Sequence, residues 1–244
     1  MPQNKVKVFF DRLDYLKNSS DRIDIRARVV RQFLGEIGNL KILDIGCGDG
    51  SLSLPMLNES NRITMVDISD QMIAQAQKNV PDHLACNVDL INGSFEIISD
   101  ALQFDIVLCV GVIAHVPDVA RLWRKIANVL KPGGLLIIET TPNPYPIGKL
   151  LFPYYFVRNL LSGKTPQYAK NRVKVADLLE AAKGIGLESL QSVRYSFPLP
   201  GMTHWSHKAK MRYTLFTLNN KFASRFGSEH IFLLQRTAME TTHT

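Results

Sequence analysis

A glycine-rich turn beside an acid is the strongest chemical signal in this sequence. Gly46, Gly48 and Gly50 follow the apolar run Lys41–Ile45, in which Asp44 is the single acid. Glycines at such a turn let the backbone bend sharply and let a ligand approach closely. The third glycine comes one residue earlier than in the dinucleotide fingerprint G-x-G-x-x-G, and a carboxylate repels pyrophosphate but attracts an ammonium group. The turn therefore favours a ligand with an amino-acid head over a dinucleotide.

A second acid stands at the end of the next apolar run. Asp67 closes the run Arg62–Asp67, 21 residues beyond Gly46. At that place a nucleoside-binding sheet carries an acid that binds both ribose hydroxyls. Ile68 and Met72 follow closely enough to pack on adenine, although Met72 equally fits the core of a helix. The acid fits NAD or S-adenosylmethionine as the ligand.

His115 is the third residue that can do chemistry. It lies in the loop Gly111–Asp118, just past the apolar run Phe104–Val110. Ligands of open α/β sheets bind beyond the carboxyl ends of the strands, and a histidine there can take a proton from a hydroxyl or an amine. Alternatively, the imidazole only supports the loop through hydrogen bonds to its backbone. The sequence leaves both interpretations open.

Alternating strands and helices must position these residues. Strands are predicted over 41–45, 62–67, 88–92, 104–110, 135–140, 188–197 and 231–234. Helices are predicted over 7–37 with a break at 18–21, and over 51–57, 69–79, 120–130 and 175–183, whereas 198–228 is predicted to be irregular. Because near-continuous apolar strands alternate with helices, the pattern indicates an α/β fold whose parallel sheet is covered on both faces.

The ordered set of motifs resembles the class I S-adenosylmethionine-dependent methyltransferases. Four segments match that family in order and spacing: Leu43–Gly50, Val66–Ser69, Phe104–Leu108 with its following loop, and Leu130–Gly134. The resemblance implies a doubly wound, mostly parallel seven-stranded sheet with helices on both faces and an antiparallel last strand. It also implies S-adenosylmethionine as cofactor and S-adenosylhomocysteine (SAH) as product.

This resemblance also implies a set of cofactor contacts. They are Asp44, Gly46, Cys47, Gly48, Gly50, Asp67, Ile68, Met72, Ser94, Phe95, Cys109 and Val110. Within that set, Asp44 would meet the amino group of the methionine part, Asp67 the ribose and Ser94 the adenine. Cys109 and Val110 would lie beside the sulfonium. Small residues fill such places by size, so we expect no catalytic thiol.

The loop around His115 bears on the acceptor. It resembles the corresponding loop of ubiquinone-biosynthesis O-methyltransferases, which act on polyprenyl phenols at membranes and carry acids there where a divalent metal supports catalysis. Gly111 and Ala114 stand at those positions, so we expect no metal. The resemblance implies His115 as the catalytic residue and favours O-methylation of a small lipophilic or aromatic acceptor. An N-methyltransferase for an amine or amino sugar is the main alternative, ahead of RNA methylation or cofactor binding without catalysis.

Composition and charge set the remaining expectations. The chain has 244 residues, 45% of them hydrophobic, with three cysteines and a net charge of +7. This composition excludes a disordered chain, and the apolar runs are too short for a spanning helix. Few cysteines and no signal-peptide pattern favour a cytoplasmic protein. Residues 146–236 hold 14 Lys and Arg against 4 Asp and Glu, which suits an acidic substrate, an anionic membrane, nucleic acid or merely a solvated surface.

A single methyltransferase domain is expected over residues 1–244. Its predicted parts are a helical cap at 1–38, a cofactor half at 39–141, an acceptor half at 142–236 with inserts 142–174 and 198–228, and a frayed tail at 237–244. Aromatic and basic residues crowd the segment 146–174, which fits peripheral membrane contact, a lid, a homodimer contact or plain core. Nucleic acid is not expected as a partner, because the loop after the fourth strand lacks the Asn/Asp-Pro-Pro-Tyr/Phe pattern of base methylation.

Overall fold

One seven-stranded sheet organises the part of the chain that the computed structural model describes, namely residues 3–11, 14–140, 153, 157, 171, 173–196, 199, 201–218 and 220–237. Its strands are β1 (Lys41–Ile45), β2 (Arg62–Asp67), β3 (Val88–Asn92), β4 (Phe104–Cys109), β5 (Leu130–Thr140), β6 (Leu187–Tyr195) and β7 (Glu229–Arg236). They lie in the order β3-β2-β1-β4-β5-β7-β6, and only the pairings of β7 are antiparallel. The predicted fold is confirmed. The order reverses between β1 and β4, and such switch points bind ligands.

Helices pack on both faces of this sheet. In the described chain they are α1 (Gln3–Phe10), α2 (Asp14–Leu34), α3 (Asp70–Asn79), α4 (Val119–Val129), α5 (Val175–Gly184), α6 (His207–Leu218) and α7 (Lys221–Phe226). The cluster on one face takes apolar residues from α2, α3 and α6, and the cluster on the other takes them from α4 and α5. Neighbouring residues of β1 alternate between them, since Ile42 belongs to the first cluster and Leu43 to the second.

Helix caps stand where β2 and β4 give way to the helices that follow. The Ser69 side chain accepts a hydrogen bond from the Met72 backbone and begins α3. The Asp118 side chain likewise accepts from the Arg121 backbone and begins α4. Such caps satisfy backbone donors that a helix start leaves unpaired. They fix the loops at the carboxyl ends of β2 and β4.

Two local predictions near the N-terminus are wrong. Helix α2 continues through residues 18–21, where a break was predicted. The buried stripe that includes Ile25, Val29 and Val30 holds this helix on the sheet, and such packing outweighs the weak helix propensity of Asn and Ser. Residues 51–57 form turns and one short 3₁₀ turn, Leu54–Met56, instead of a helix, with Pro55 at its start.

The prediction of irregular structure over 198–228 is also wrong. Helices α6 and α7 occupy most of that range. Met211, Leu215 and Leu218 of α6 pack against the sheet at helical spacing. Lys208, Lys210 and Arg212 surround Met211 in the sequence and obscure the start of this stripe. Among the helices of the described residues, none has the length and apolar character that crossing a membrane requires.

Candidate active site

A cavity opens at the carboxyl ends of β1, β2 and β4. It contains about 1030 Å³ of empty space, including open solvent at its mouth. Concave sites lined mainly by apolar side chains with a few polar groups are typical of small-ligand binding. The cavity lies at the switch point of the sheet, where both the glycine turn and the loop that carries His115 begin.

Most of the predicted contacts line this cavity. They are Gly46, Cys47, Gly48, Asp67, Ile68, Met72, Ser94, Phe95, Val110 and His115. Asp44, Gly50 and Cys109 do not form part of its wall. Asp44 and Cys109 are buried within their strands at 1% and 0% exposure. A Cβ on Gly50 would lie 2.7 Å from the Leu54 side chain, so this glycine serves the packing behind the turn.

Gly46 lets the turn after β1 pass close to the loop after β4. Its backbone has a φ of 70°, and a Cβ there would lie 2.4 Å from Cγ2 of Val112. Gly48 also has a positive φ, of 56°, but a Cβ there would meet nothing within 4 Å. Both glycines therefore need the left-handed backbone, but only Gly46 lacks room for a Cβ atom.

Gly46→Ala is expected to lower the free energy of unfolding by about 2–4 kcal/mol, since left-handed strain and a forced contact both add to the cost. Gly48→Ala should cost about 1–2 kcal/mol, because only the strain applies. Urea denaturation of both variants measures the difference. Val112→Ala in the Gly46→Ala background should recover part of the loss, whereas equal losses at the two glycines would contradict the predicted contact.

Asp67 joins the glycine turn to the start of α3. Its Oδ2 accepts a hydrogen bond from the Gly48 backbone at 3.0 Å, and its Oδ1 accepts from the Ser69 backbone at 2.9 Å. Burial raises the pKa of Asp67, and the hydrogen bonds from Ser69 and Gly48 oppose that rise. Each carboxylate oxygen still has acceptor capacity, so the group can also bind a pair of ligand hydroxyls.

Asp44 is a buried acid below the turn. Its Oδ2 has no hydrogen-bond partner among the described residues. Burial raises the pKa of Asp44 to about 7, the Ser53 hydroxyl lowers it, and the carboxylates of Asp67 and Asp49 raise it further. A buried polar atom without a partner is costly. An ammonium group or a bridging water above Gly46 would supply the missing partner.

The raised pKa of Asp44 predicts a stability that falls with pH. The folded state retains this proton up to about pH 7, whereas the unfolded carboxyl loses it near pH 3.9. The folded state therefore binds more protons between these values, and stability decreases as the pH rises through them. Asp44→Asn removes the effect. We expect its stability relative to wild type to improve by about 2–4 kcal/mol between pH 4 and pH 7.5, as measured by denaturation.

Asp105 offers a matched control with the opposite sign. Its pKa is lowered by the ion pair with Lys131, at 2.7 Å, and by the hydrogen bond from the Lys41 backbone, although burial opposes the shift. Stability from this group is present above the unfolded pKa and is lost in acid. Asp105→Asn should therefore lose stability relative to wild type as the pH rises from about 3 to 5. A pH-independent difference for Asp44→Asn would contradict its raised pKa.

The loop that carries His115 is held by its own backbone and by Asn171. The His115 N–H donates to the Val112 carbonyl at 2.8 Å, and the Asn171 N–H donates to the Ala114 carbonyl at 2.8 Å. The Asn171 side chain donates to the Val116 carbonyl. These bonds hold the backbone on both sides of His115, and the imidazole lines the cavity.

Helices α1 and α2 supply cavity residues that the sequence interpretation missed: Val6, Phe10, Ile23 and Arg26. The Phe10 ring meets the imidazole of His115 edge to face, with centroids 5.1 Å apart. Arg26 carried a signal that was overlooked. It stands three residues after Ile23 and four before Val30, and so places a charge on the apolar stripe of α2.

Two polar contacts anchor α1 over the cavity. Lys7 forms an ion pair with Asp70 at 2.8 Å. The Ser69 hydroxyl donates to Asp11 at 2.7 Å. Ser69 and Asp70 lie at the start of α3, shortly after Asp67. Helix α1 therefore spans from the Asp67 side of the cavity to His115.

The loop after β4 does not fit a divalent metal. Gly111 and Ala114 offer no side-chain ligand, and a Cβ on Gly111 would lie 3.1 Å from Nη1 of Arg26. A fixed guanidinium beside the loop repels a second cation. The described residues also contain no group of three His, Cys, Asp or Glu side chains that could hold a metal ion.

Comparison with known proteins agrees with this geometry. Residues 43–138 match the family described as "Methyltransferase domain". The chain is 28% identical over 171 residues to the ubiquinone biosynthesis O-methyltransferase of Leptothrix cholodnii, covering 67% of this chain and 71% of that protein. It is 32% identical over 151 residues to the ubiquinone biosynthesis O-methyltransferase of Coxiella burnetii, covering 61% of this chain and 64% of that protein, which is less than two thirds of its length.

A solved structure shares the fold over nearly the whole chain. Magnesium protoporphyrin IX methyltransferase from Synechocystis PCC 6803, with bound SAH, aligns with a TM-score of 0.66 and 17% identity, covering 96% of this chain and 99% of that one. Residues 43–138 thus form a methyltransferase domain, and these relatives together with the shared fold indicate an S-adenosylmethionine-dependent methyltransferase. Within that class, its curated relatives include O-methyltransferases of ubiquinone biosynthesis. The predicted enzyme class and cofactor are confirmed.

Proposed function

We propose that this methyltransferase acts on the hydroxyl oxygen of a small, lipophilic or aromatic acceptor. The observation that carries the proposal is that one cavity contains the glycine turn, Asp67 and His115. Around His115 its wall is apolar, with Phe10, Val112 and Val116. Such a wall suits an aromatic ring or an alkyl chain and excludes water. The O-methyltransferases among the relatives support the same acceptor class.

The cavity wall suggests how the cofactor is held. Asp67 accepts the ribose hydroxyls, and Asp44, which lies behind the wall, meets the amino group of the methionine part through water. Arg26 stands beside Gly111, near the contact between Gly46 and Val112. A guanidinium in that place binds the carboxylate of the methionine part, because Arg pairs well with carboxylates. The adenine then lies among Ile68, Met72, Ser94 and Phe95.

His115 takes the proton of the acceptor hydroxyl. S-adenosylmethionine supplies a methyl group on a sulfonium, which is a good leaving group. The chain's own residues therefore need only hold the acceptor oxygen in line with that methyl group and receive the proton. Phe10 and Val116 hold the acceptor ring against the loop, and the imidazole of His115 is the base within the same wall.

An acceptor panel with methyl-labelled S-adenosylmethionine tests this function. We expect labelled methyl ethers from catechols and phenols, with rates that rise when an isoprenoid or alkyl chain is added to the ring. Aliphatic amines and amino sugars of similar size should stay unlabelled. Label on the amines but not on the phenols would contradict the proposal and favour N-methylation. Methylated RNA under the same conditions would also contradict it.

Peripheral membrane contact through 146–174 and a homodimer stay predictions. Most of the segment 146–174 lies outside the described residues. The basic composition of 146–236 supports contact with an anionic membrane surface, since cations near such a surface are attracted to it. A cytoplasmic location also stays a prediction.

A further inference from the structure

Glu139 is a buried acid at the carboxyl end of β5. Its side chain is 2% exposed and follows the apolar residues Leu136, Ile137 and Ile138. Burial raises the pKa of Glu139, and the charge of Arg26 opposes the rise. A carboxylate in such a place needs a well-placed cation, because its hydration is lost. The acid does not line the cavity, but its partner does.

The pairing between Glu139 and Arg26 occupies one side of the guanidinium. Nε of Arg26 donates a hydrogen bond to Oε1 of Glu139 at 3.0 Å, and Nη2 forms an ion pair with Oε2 at 2.6 Å without the alignment of a hydrogen bond. Nη1 lies on the other side, 3.1 Å from where a Cβ of Gly111 would stand. The Tyr195 hydroxyl also donates to Oε1, at 3.4 Å. The acid therefore fixes both the position and the rotation of the guanidinium.

We propose that Glu139 is a positioning residue that turns the Nη1 side of Arg26 toward the carboxylate of the cofactor. This inference rests on the cofactor placement of the proposed function. An arginine side chain has several rotatable bonds, and a two-point pairing with a carboxylate removes that freedom before the ligand arrives. Binding to an ordered group loses less entropy than binding to a mobile one. The ion pair thus contributes to cofactor affinity as well as to the attachment of α2 to the sheet.

Two ligands separate positioning from a purely structural role. SAH carries the amino and carboxylate groups, whereas 5′-methylthioadenosine keeps the adenosine and the thioether but lacks both groups. Calorimetry with Glu139→Gln, which preserves size and removes the charge, should show SAH affinity about tenfold weaker and 5′-methylthioadenosine affinity changed less than twofold. Arg26→Lys keeps the cation without the two-point pairing and should give the same pattern. In the Arg26→Lys background, Glu139→Gln should add little.

Asp105→Asn is the matched control. It removes an ion-paired acid at the start of β4, at the edge of the sheet opposite to the cavity. It should leave the affinities for both ligands unchanged, and thermal unfolding checks that each variant is folded. An equal loss for both ligands in Glu139→Gln, or an unchanged SAH affinity, would overturn the positioning role. If the wild-type protein bound 5′-methylthioadenosine as tightly as SAH, the proposed cofactor placement itself would fail, and the role of Glu139 with it.

Discussion

His115→Asn is expected to slow methyl transfer by about 10²–10⁴-fold while the affinity for SAH stays nearly unchanged. Asparagine keeps a polar group at the same distance from the backbone but cannot accept the acceptor's proton. The hydrogen bonds of His115 N and of Asn171 hold the loop backbone in both proteins. Single-turnover kinetics with a phenolic acceptor places the loss in the chemical step, and calorimetry measures the SAH affinity.

The pH profile separates a base from a loop support. If His115 is the base, the wild-type rate falls on the acid side as the imidazole takes up a proton, and this limb disappears in His115→Asn. His83→Asn, on an exposed residue away from the cavity, is the control and should leave the profile unchanged. Near-native turnover in His115→Asn would contradict the base. If the acid limb of the pH–rate profile survives in His115→Asn, it reports protonation of the acceptor itself. That result would favour an amine as the acceptor.

The residues that line the sheet edge could be predicted because each belongs to a short continuous motif. A glycine at position 46 is required by its φ of 70° and by the approach of Val112. An acid at position 67 ends a strand whose apolar run is visible in the sequence. Local backbone geometry and strand ends decide such positions, so a single sequence carries the information.

The wall contributed by α1 and α2 could not be predicted in the same way. Arg26 and Glu139 are separated by 113 positions, and nothing local in the sequence links them. Phe10 meets His115 across more than a hundred residues for the same reason. The visible signs were a charge within the apolar stripe of α2 and an acid directly after the apolar run Leu135–Ile138 of β5. These signs mark residues that need a buried partner but do not say which one.

Asp67→Ala is expected to weaken SAH binding by about 1.5–3 kcal/mol, which is roughly 10- to 150-fold, because charge-assisted hydrogen bonds to the ribose are lost. Asp67→Asn should lose less, since its single carbonyl oxygen still accepts one of these bonds. Calorimetry at neutral pH gives both affinities, and Asp89→Ala, on an exposed acid of the neighbouring strand β3, should match wild type. The carboxylate also holds the Gly48 and Ser69 backbones. Because 5′-methylthioadenosine retains the ribose, its binding free energy should weaken by the same amount as that of SAH. A loss confined to SAH would mean that Asp67 acts on the methionine part, and an unchanged affinity for both ligands would remove it from the ribose site.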